Sequence, residues 1–261
     1  MTDTNAVPVF TGPSPEVRII ADDRPWAWLE AGFADLKRAW PVSMAYGAIV
    51  VAFSWALVLV MTGTGHFYLI LPMCAGFMLV APLAAVGLYD TSRRLAAGEP
   101  VSLGQALRAF LVNPRHIAYM GLVLALFLLF WIRIATLLYA IFFSDLNPNL
   151  ANLVNVVFTS DVSLPFLIVG TVLGGVLALL VFAIGAVSVP MLLNRDMNVF
   201  TAILTSITAV RMNPKPMLLW AFIIVFCAGV GMATLFVGLA VALPLIGHAT
   251  WHAYRDLVAK D

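Results

Sequence analysis

The sequence predicts an all-α, polytopic transmembrane helical bundle of six spans, and three observations predict it. Of the 261 residues, 62% are apolar and 10% charged, against roughly 45–50% and about 25% in soluble domains; mean hydropathy is +1.01. The apolar residues gather into runs almost free of charge, near the ~20 residues that cross a hydrocarbon core. Lys and Arg collect on one side of those runs, as the positive-inside bias requires.

Residues 1–24 are polar and proline-bearing, without the basic and apolar regions of a signal peptide. They read as a disordered cytoplasmic tail ahead of a single membrane domain, 25–261. The spans fall at about 42–61, 67–89, 117–143, 164–193, 216–234 and 235–256. The first two are joined by the short TGTGH segment, as in a helical hairpin. The last two share 39 residues, Pro216 to Tyr254, free of Asp, Glu, Lys and Arg. That is too long for one crossing and right for two, with the turn between Gly229 and Gly238. With six spans, every Lys and Arg but Arg133 lies on one side, which makes 13 of 14. A five-span chain would carry Arg255 and Lys260 across. Parity and charge therefore agree on six spans, with both ends in the cytoplasm.

Three amphipathic segments precede the odd-numbered spans. Leu29, Phe33, Leu36 and Trp40 share one helical face; so do Leu103, Leu107 and Phe110, and so do Phe200, Ile203, Ile207 and Val210. Ser102 and Gln105 have capping-box spacing. Each segment ends at a proline, Trp40-Pro41, Asn113-Pro114 or Asn213-Pro214, because the residue before proline disfavours the α conformation. The even spans carry Pro82, Pro190 and Pro244 near their cytoplasmic ends. The chain thus reads as three degenerate repeats, each an interfacial amphipathic helix followed by a helical hairpin. The three helices form a cytoplasmic collar in the headgroup layer, with Trp26, Trp28, Trp40 and Trp251 at that depth.

The segments PWAWLEAGFADLKRAWP, PLAAVGLYDTSRRLAAGEP and LPLIGHATWHAYRDLV resemble a bacterial family of predicted integral membrane proteins, domain-of-unknown-function family 2189, over about residues 15–258. The resemblance implies a multi-span protein of the bacterial inner membrane with no assigned activity. Some members carry respiratory-oxidase subunit names, but four histidines cannot supply the haem and copper ligands of such a subunit.

Several residues are candidates for chemistry. His248 and His252 are four apart on a helix, so both rings share a face. Such a pair ties a helix end to backbone or headgroups, or, with His116 as a third ligand, holds a metal or haem. Arg133 is a charge inside the third span; it snorkels outward, pairs with Asp145 or Asp161, or lines a cavity. Asp90 and Arg94 have helical ion-pair spacing. With Arg93 and Arg255 they form collar salt bridges or a headgroup-phosphate site. Gly170 and Gly174 form G-x-x-x-G in span four, which suits helix packing within the chain or a homo-oligomer.

A net charge of +1 offers nothing to nucleic acid. Cys74 and Cys227 sit alone in apolar runs, without zinc or disulfide spacing. The phosphate-loop, G-x-S-x-G and H-E-x-x-H signatures are absent and no loop is long enough for a catalytic domain, so no enzyme and no resident cofactor are expected. No Asp or Glu lies at mid-span, which removes a carboxylate proton relay. Two function classes stand: a scaffold or assembly accessory working through its collar with a membrane-protein partner, and a small transporter or channel with Arg133 in a cavity. A third is a haem- or metal-binding redox accessory through His248 and His252.

Overall fold

A computed structural model describes residues 15–143 and 157–259. Among these the chain is helical, with one isolated antiparallel bridge, Val17 to Val258. The helices, in order, are α1 Arg24–Arg38, α2 Trp40–Gly63, α3 Ile70–Ala84, α4 Val86–Ala97, α5 Leu103–Arg108, α6 Pro114–Phe142, α7 Ser163–Gly185, α8 Ser188–Asn194, α9 Val199–Met212, α10 Pro214–Ala233 and α11 Leu239–Leu257.

Proline sets many of the boundaries. Helices α2, α6 and α10 each carry proline in their first turn, where the missing N–H costs nothing. The second expected span is broken at Ala85, just after Pro82, into α3 and α4. The fourth breaks at Ala186 and Val187. There Pro190 crowds the carbonyl four residues back, and the Val187 N–H, released from the helix, bonds Ser206 Oγ at 3.2 Å. Ser102 caps α5 through the Gln105 N–H, as its spacing predicts. Gly98, at φ +68°, ends α4.

Five helical stretches are long and apolar enough to cross a membrane: Trp40–Gly63, Phe67–Ala97, Pro114–Phe142, Ser163–Asn194 and Pro214–Ala233. The sixth expected span, α11, is not among them, because His248, His252, Arg255 and Asp256 dilute its apolar half. It is instead the most enclosed of the long helices, with 12 of its 19 residues buried. The α10–α11 turn is at residues 234–238, where Leu235 and Phe236 adopt positive φ. Trp55 steadies it, donating Nε1–H to the Leu235 carbonyl at 3.1 Å and meeting the Phe236 ring edge-on.

The core is concentrated at the end of the bundle where the charges gather. Trp28, Trp220, Trp251 and Tyr254 are fully buried there, with most of α4 and α8. The apolar stretches beyond this charged layer bury only 11–33% of their residues against one another. The faces that the collar helices turn inward are set by small residues more than by large apolar ones. In α1 the buried stripe is Pro25, Trp28, Gly32, Asp35, Leu36 and Ala39, while Phe33 and Trp40 are exposed. In the second segment Ala106 and Ala109 turn inward and Leu107 and Phe110 outward. In α9 the inward residues are Val199, Thr201, Ala202, Thr205, Ser206 and Ala209; Phe200 is exposed, and Ile203, Ile207 and Val210 are half-buried. The reason is that small residues let helices approach, while large apolar ones are equally content in lipid. Of the four tryptophans expected at headgroup depth, Trp26 and Trp40 are exposed and Trp28 and Trp251 are in the core.

The end of the expected tail is bound. Arg18 N–H donates to the Leu257 carbonyl, Ala259 N–H to the Glu16 carbonyl, and Ile20 N–H to Asn213 Oδ1. The start of the described chain thus runs beside the end of α11.

Candidate functional site

Three polar side chains recur at every fourth residue of α11, His248, His252 and Asp256, and α1, α2 and α4 supply their partners. Spacing of four keeps them on one face. Asp256 accepts hydrogen bonds from Arg24 Nε at 2.7 Å and Trp28 Nε1 at 2.9 Å. His252 Nε2 meets Asp35 Oδ2 at 2.8 Å. His248 is completely buried, with Nε2 2.8 Å from Ser43 Oγ and Nδ1 2.8 Å from Ser92 Oγ. A neutral imidazole donates from one nitrogen and accepts at the other; a serine hydroxyl can complement either.

Asp35 is an acid inside this packing. Burial alone would raise its pKa; the hydrogen bond from His252, with the two nearby imidazoles, outweighs burial and holds the carboxyl below its ordinary value. The ladder therefore seats a carboxylate where a lone one would be costly.

A second cluster closes the layer. Asp90, 1% exposed, accepts from Arg93 at 2.6 and 2.9 Å and from Arg94 at 2.8 Å; Arg94 also reaches Glu99 at 3.1 Å. The two guanidinium groups are thus already engaged by one buried acid. Arg255 lies over the Trp251 ring at 5.9 Å, and the Tyr254 hydroxyl accepts from Asn194 Nδ2 at 3.0 Å and Arg195 Nε at 3.2 Å. The asparagines before two of the boundary prolines act as clamps: Asn113 donates to the Leu192 carbonyl, and Asn213 donates to the Arg18 carbonyl.

The remaining candidates stand apart. Arg133 is exposed on the outer face of α6, lines neither apolar cleft of the bundle, and has no ion pair among the described residues. Asp145 lies outside the described residues, and Asp161 is exposed. His116 sits at the start of α6, its ring edge-on to Tyr119, in a hollow lined also by Arg115, Asn194, Arg195 and Asp196, so it is no third ligand for His248 and His252. No group of three His, Cys, Asp or Glu placed to share a metal occurs among the described residues. Gly174 receives the Trp131 ring, a Cβ there standing 3.0 Å from it, whereas Gly170 faces open space. Trp131 also fills a notch at Gly76 and donates Nε1–H to the Pro72 carbonyl, which locks α6 to α3 and α7.

Spacing had singled out His248, His252, Asp90 and Arg94. It missed Asp35, Ser43 and Ser92 as partners of the histidines, and Asp256 as the third member of their face. The four-residue rhythm 248, 252, 256 is a signal the sequence carries for the last of these. The serines, 205 and 156 residues from His248, leave no local signal.

Residues 70–194, from the start of α3 to the end of α8, match the model of a family described as predicted integral membrane protein, DUF2189. No curated protein and no solved structure matches the chain. The family match and the five apolar helices identify an integral membrane protein.

Proposed function

We propose that this integral membrane protein is a non-enzymatic scaffold or assembly accessory of a bacterial inner membrane, and that its working surface is the outside of the charged layer. The carrying observation is the contrast between the two faces of that layer. Inside, its polar groups are matched in the ladder and the Asp90 cluster. Outside, large apolar side chains stand exposed: Trp26 at 57%, Phe33 at 48%, Trp40 at 51% and Leu111 at 70%. Contiguous exposed apolar surface marks an interaction face.

In this reading the chain crosses six times, with α11 as the sixth crossing and both ends cytoplasmic. The bridge between Val17 and Val258 supports an even number, since it places both ends of the described chain together. The proline-led helices α2, α6 and α10, each preceded by a shorter helix, support three degenerate repeats. The transporter reading gains nothing from Arg133 on the outer surface. The redox reading would require His248 to break two hydrogen bonds.

The test is co-purification in mild detergent. Phe33→Ser should release a membrane-protein partner that the wild type retains, with unchanged thermal stability. Leu36→Ser, on the buried side of the same helix, should instead destabilise the chain. A Phe33→Ser protein that keeps every partner would defeat the proposal.

A further inference from the structure

A cleft of about 370 Å³ opens between α3, α7, α10 and α11. Its lining changes character along its length. Phe77, Gly175, Ala228 and Leu239 wall the deep part, and Tyr89, Trp220 and Thr250 stand at the end next to the charged layer. From Leu239 to Thr250 is eleven residues of helix, so the cleft is about 16 Å long. That is near half of a ~30 Å hydrocarbon core, the depth of one leaflet.

The polar end is unfinished. Trp220 is fully buried, and its Nε1–H has no hydrogen-bond acceptor. The Tyr89 and Thr250 hydroxyls also have no hydrogen-bond partner among the described residues. A buried donor left unpaired is costly, so Trp220 Nε1, with two hydroxyls that have no partner beside it at one end of an apolar cleft, points to an occupant that brings oxygens to that end alone. A transmembrane helix does not, because its backbone groups are satisfied internally. An ester-linked acyl chain does, with its hydrocarbon deep and its carbonyl at the headgroup boundary.

We infer that this cleft is a binding site for one acyl chain of a phospholipid from the leaflet on the charged side, its ester oxygens taking the hydrogen bonds of Trp220, Tyr89 and Thr250. The site is independent of the scaffold reading: neither Phe33 nor Trp40 lines it.

The test uses the full chain in vesicles of phosphatidylethanolamine and phosphatidylglycerol carrying a diazirine-acyl phosphatidylethanolamine, with label mapped by peptide mass spectrometry. Label should concentrate on the cleft walls of α7 and α10 above the level on the lipid-facing side of α6. Ala178→Trp, which fills the cleft, should lower cleft labelling about tenfold, equivalent to about 1.4 kcal/mol, with α6 labelling unchanged as the control for folding. If that variant does not fold, the near-isosteric Tyr89→Phe and Thr250→Val pair should lower cleft labelling in its place. Labelling of the cleft no denser than that of α6, or untouched by the variants, overturns the inference.

Discussion

Gly32 of α1 lies directly on the backbone of Ala249 of α11: a Cβ on Gly32 would stand 2.6 Å from the Ala249 nitrogen and 2.8 Å from its Cα. Two residues of α2 and α11 repeat the arrangement, where a Cβ on Gly47 would overlap the Ala240 backbone. The polar rungs run from the first of these contacts outward, with His248 next to Ala249 and His252 and Asp256 in the turns that follow. Close approach and the ladder therefore depend on one another, since an extra ångström between the helices would lengthen every hydrogen bond in it.

Gly32→Val should accordingly destabilise the chain by about 1–3 kcal/mol or more, the range for overpacking against atoms that cannot yield. Thermal unfolding in detergent measures it. The same substitution at Gly63, which has nothing within 4 Å, should change stability little. Equal effects at both positions would show that α1 and α11 are not held at this distance.

His248→Ala removes a fully buried ring and strands two serine hydroxyls. The expected loss is about 2–4 kcal/mol, from the cavity and the unpaired groups together. Ser92→Ala should cost about 1–3 kcal/mol in wild type and much less in the His248→Ala background, because the shared hydrogen bond is already gone. Additive losses, read by thermal unfolding of the double variant, would mean that Ser92 does not act through His248.

The two G-x-x-x-G glycines should separate. Gly174→Leu drives a side chain into the Trp131 ring and should cost about 1–3 kcal/mol. Gly170→Leu meets open space and should fall within about 0.5 kcal/mol of wild type. A reversed order in melting temperature would indicate that Gly170 packs against another chain.

What the sequence makes legible follows from which forces act locally. Charge-free runs show where lipid is, and the prolines and Ser102 show where helices begin, because these depend on neighbouring residues alone. Asp90 and Arg94 pair as their spacing predicts. The inward face of the collar helices is not legible from their apolar periodicity, because apolarity marks the core only where water is outside. Here Gly32, Ala106 and Ala209 mark it, and Phe33, Leu107 and Phe200 turn away from it. Asp35 was illegible for the same reason: in isolation it reads as one more polar residue of an exposed face, and only α11 supplies its partners.

The Asp35 carboxyl also sets an acid limit. Its pKa in the folded chain lies below its ordinary value of 3.8, despite burial, through the hydrogen bond of His252 and the nearby imidazoles. A lowered acid stabilises the folded state above its ordinary pKa, and that contribution is lost as pH falls through the folded value. The melting-temperature gap between wild type and Asp35→Asn should thus be full at neutral pH and shrink below about pH 4. A gap that widens on acidification would mean that Asp35 is already protonated in the folded chain.

The number of crossings turns on α11. Composition admits five spans and leaves this helix out, because two imidazoles, Arg255 and Asp256 occupy its last three turns. His248, His252 and Asp256 are matched by α1, α2 and α4 in the charged layer, and the deeper half of the helix, Leu239 to Gly247, is without charge; the whole of α11, 19 residues, has about the length a crossing needs. The bridge from Val17 to Val258 adds a constraint independent of hydropathy, since two ends that hydrogen-bond lie on the same side. Reporters fused at the N-terminus and at the C-terminus should therefore both be active in the cytoplasm, and a cysteine placed at Val237, in the exposed α10–α11 turn, should react with an impermeant maleimide added from the periplasm. A periplasmic C-terminal reporter would break the bridge and leave α11 outside the membrane. A turn that reacts only after permeabilisation would make α10 and α11 a re-entrant hairpin, with the chain crossing four times.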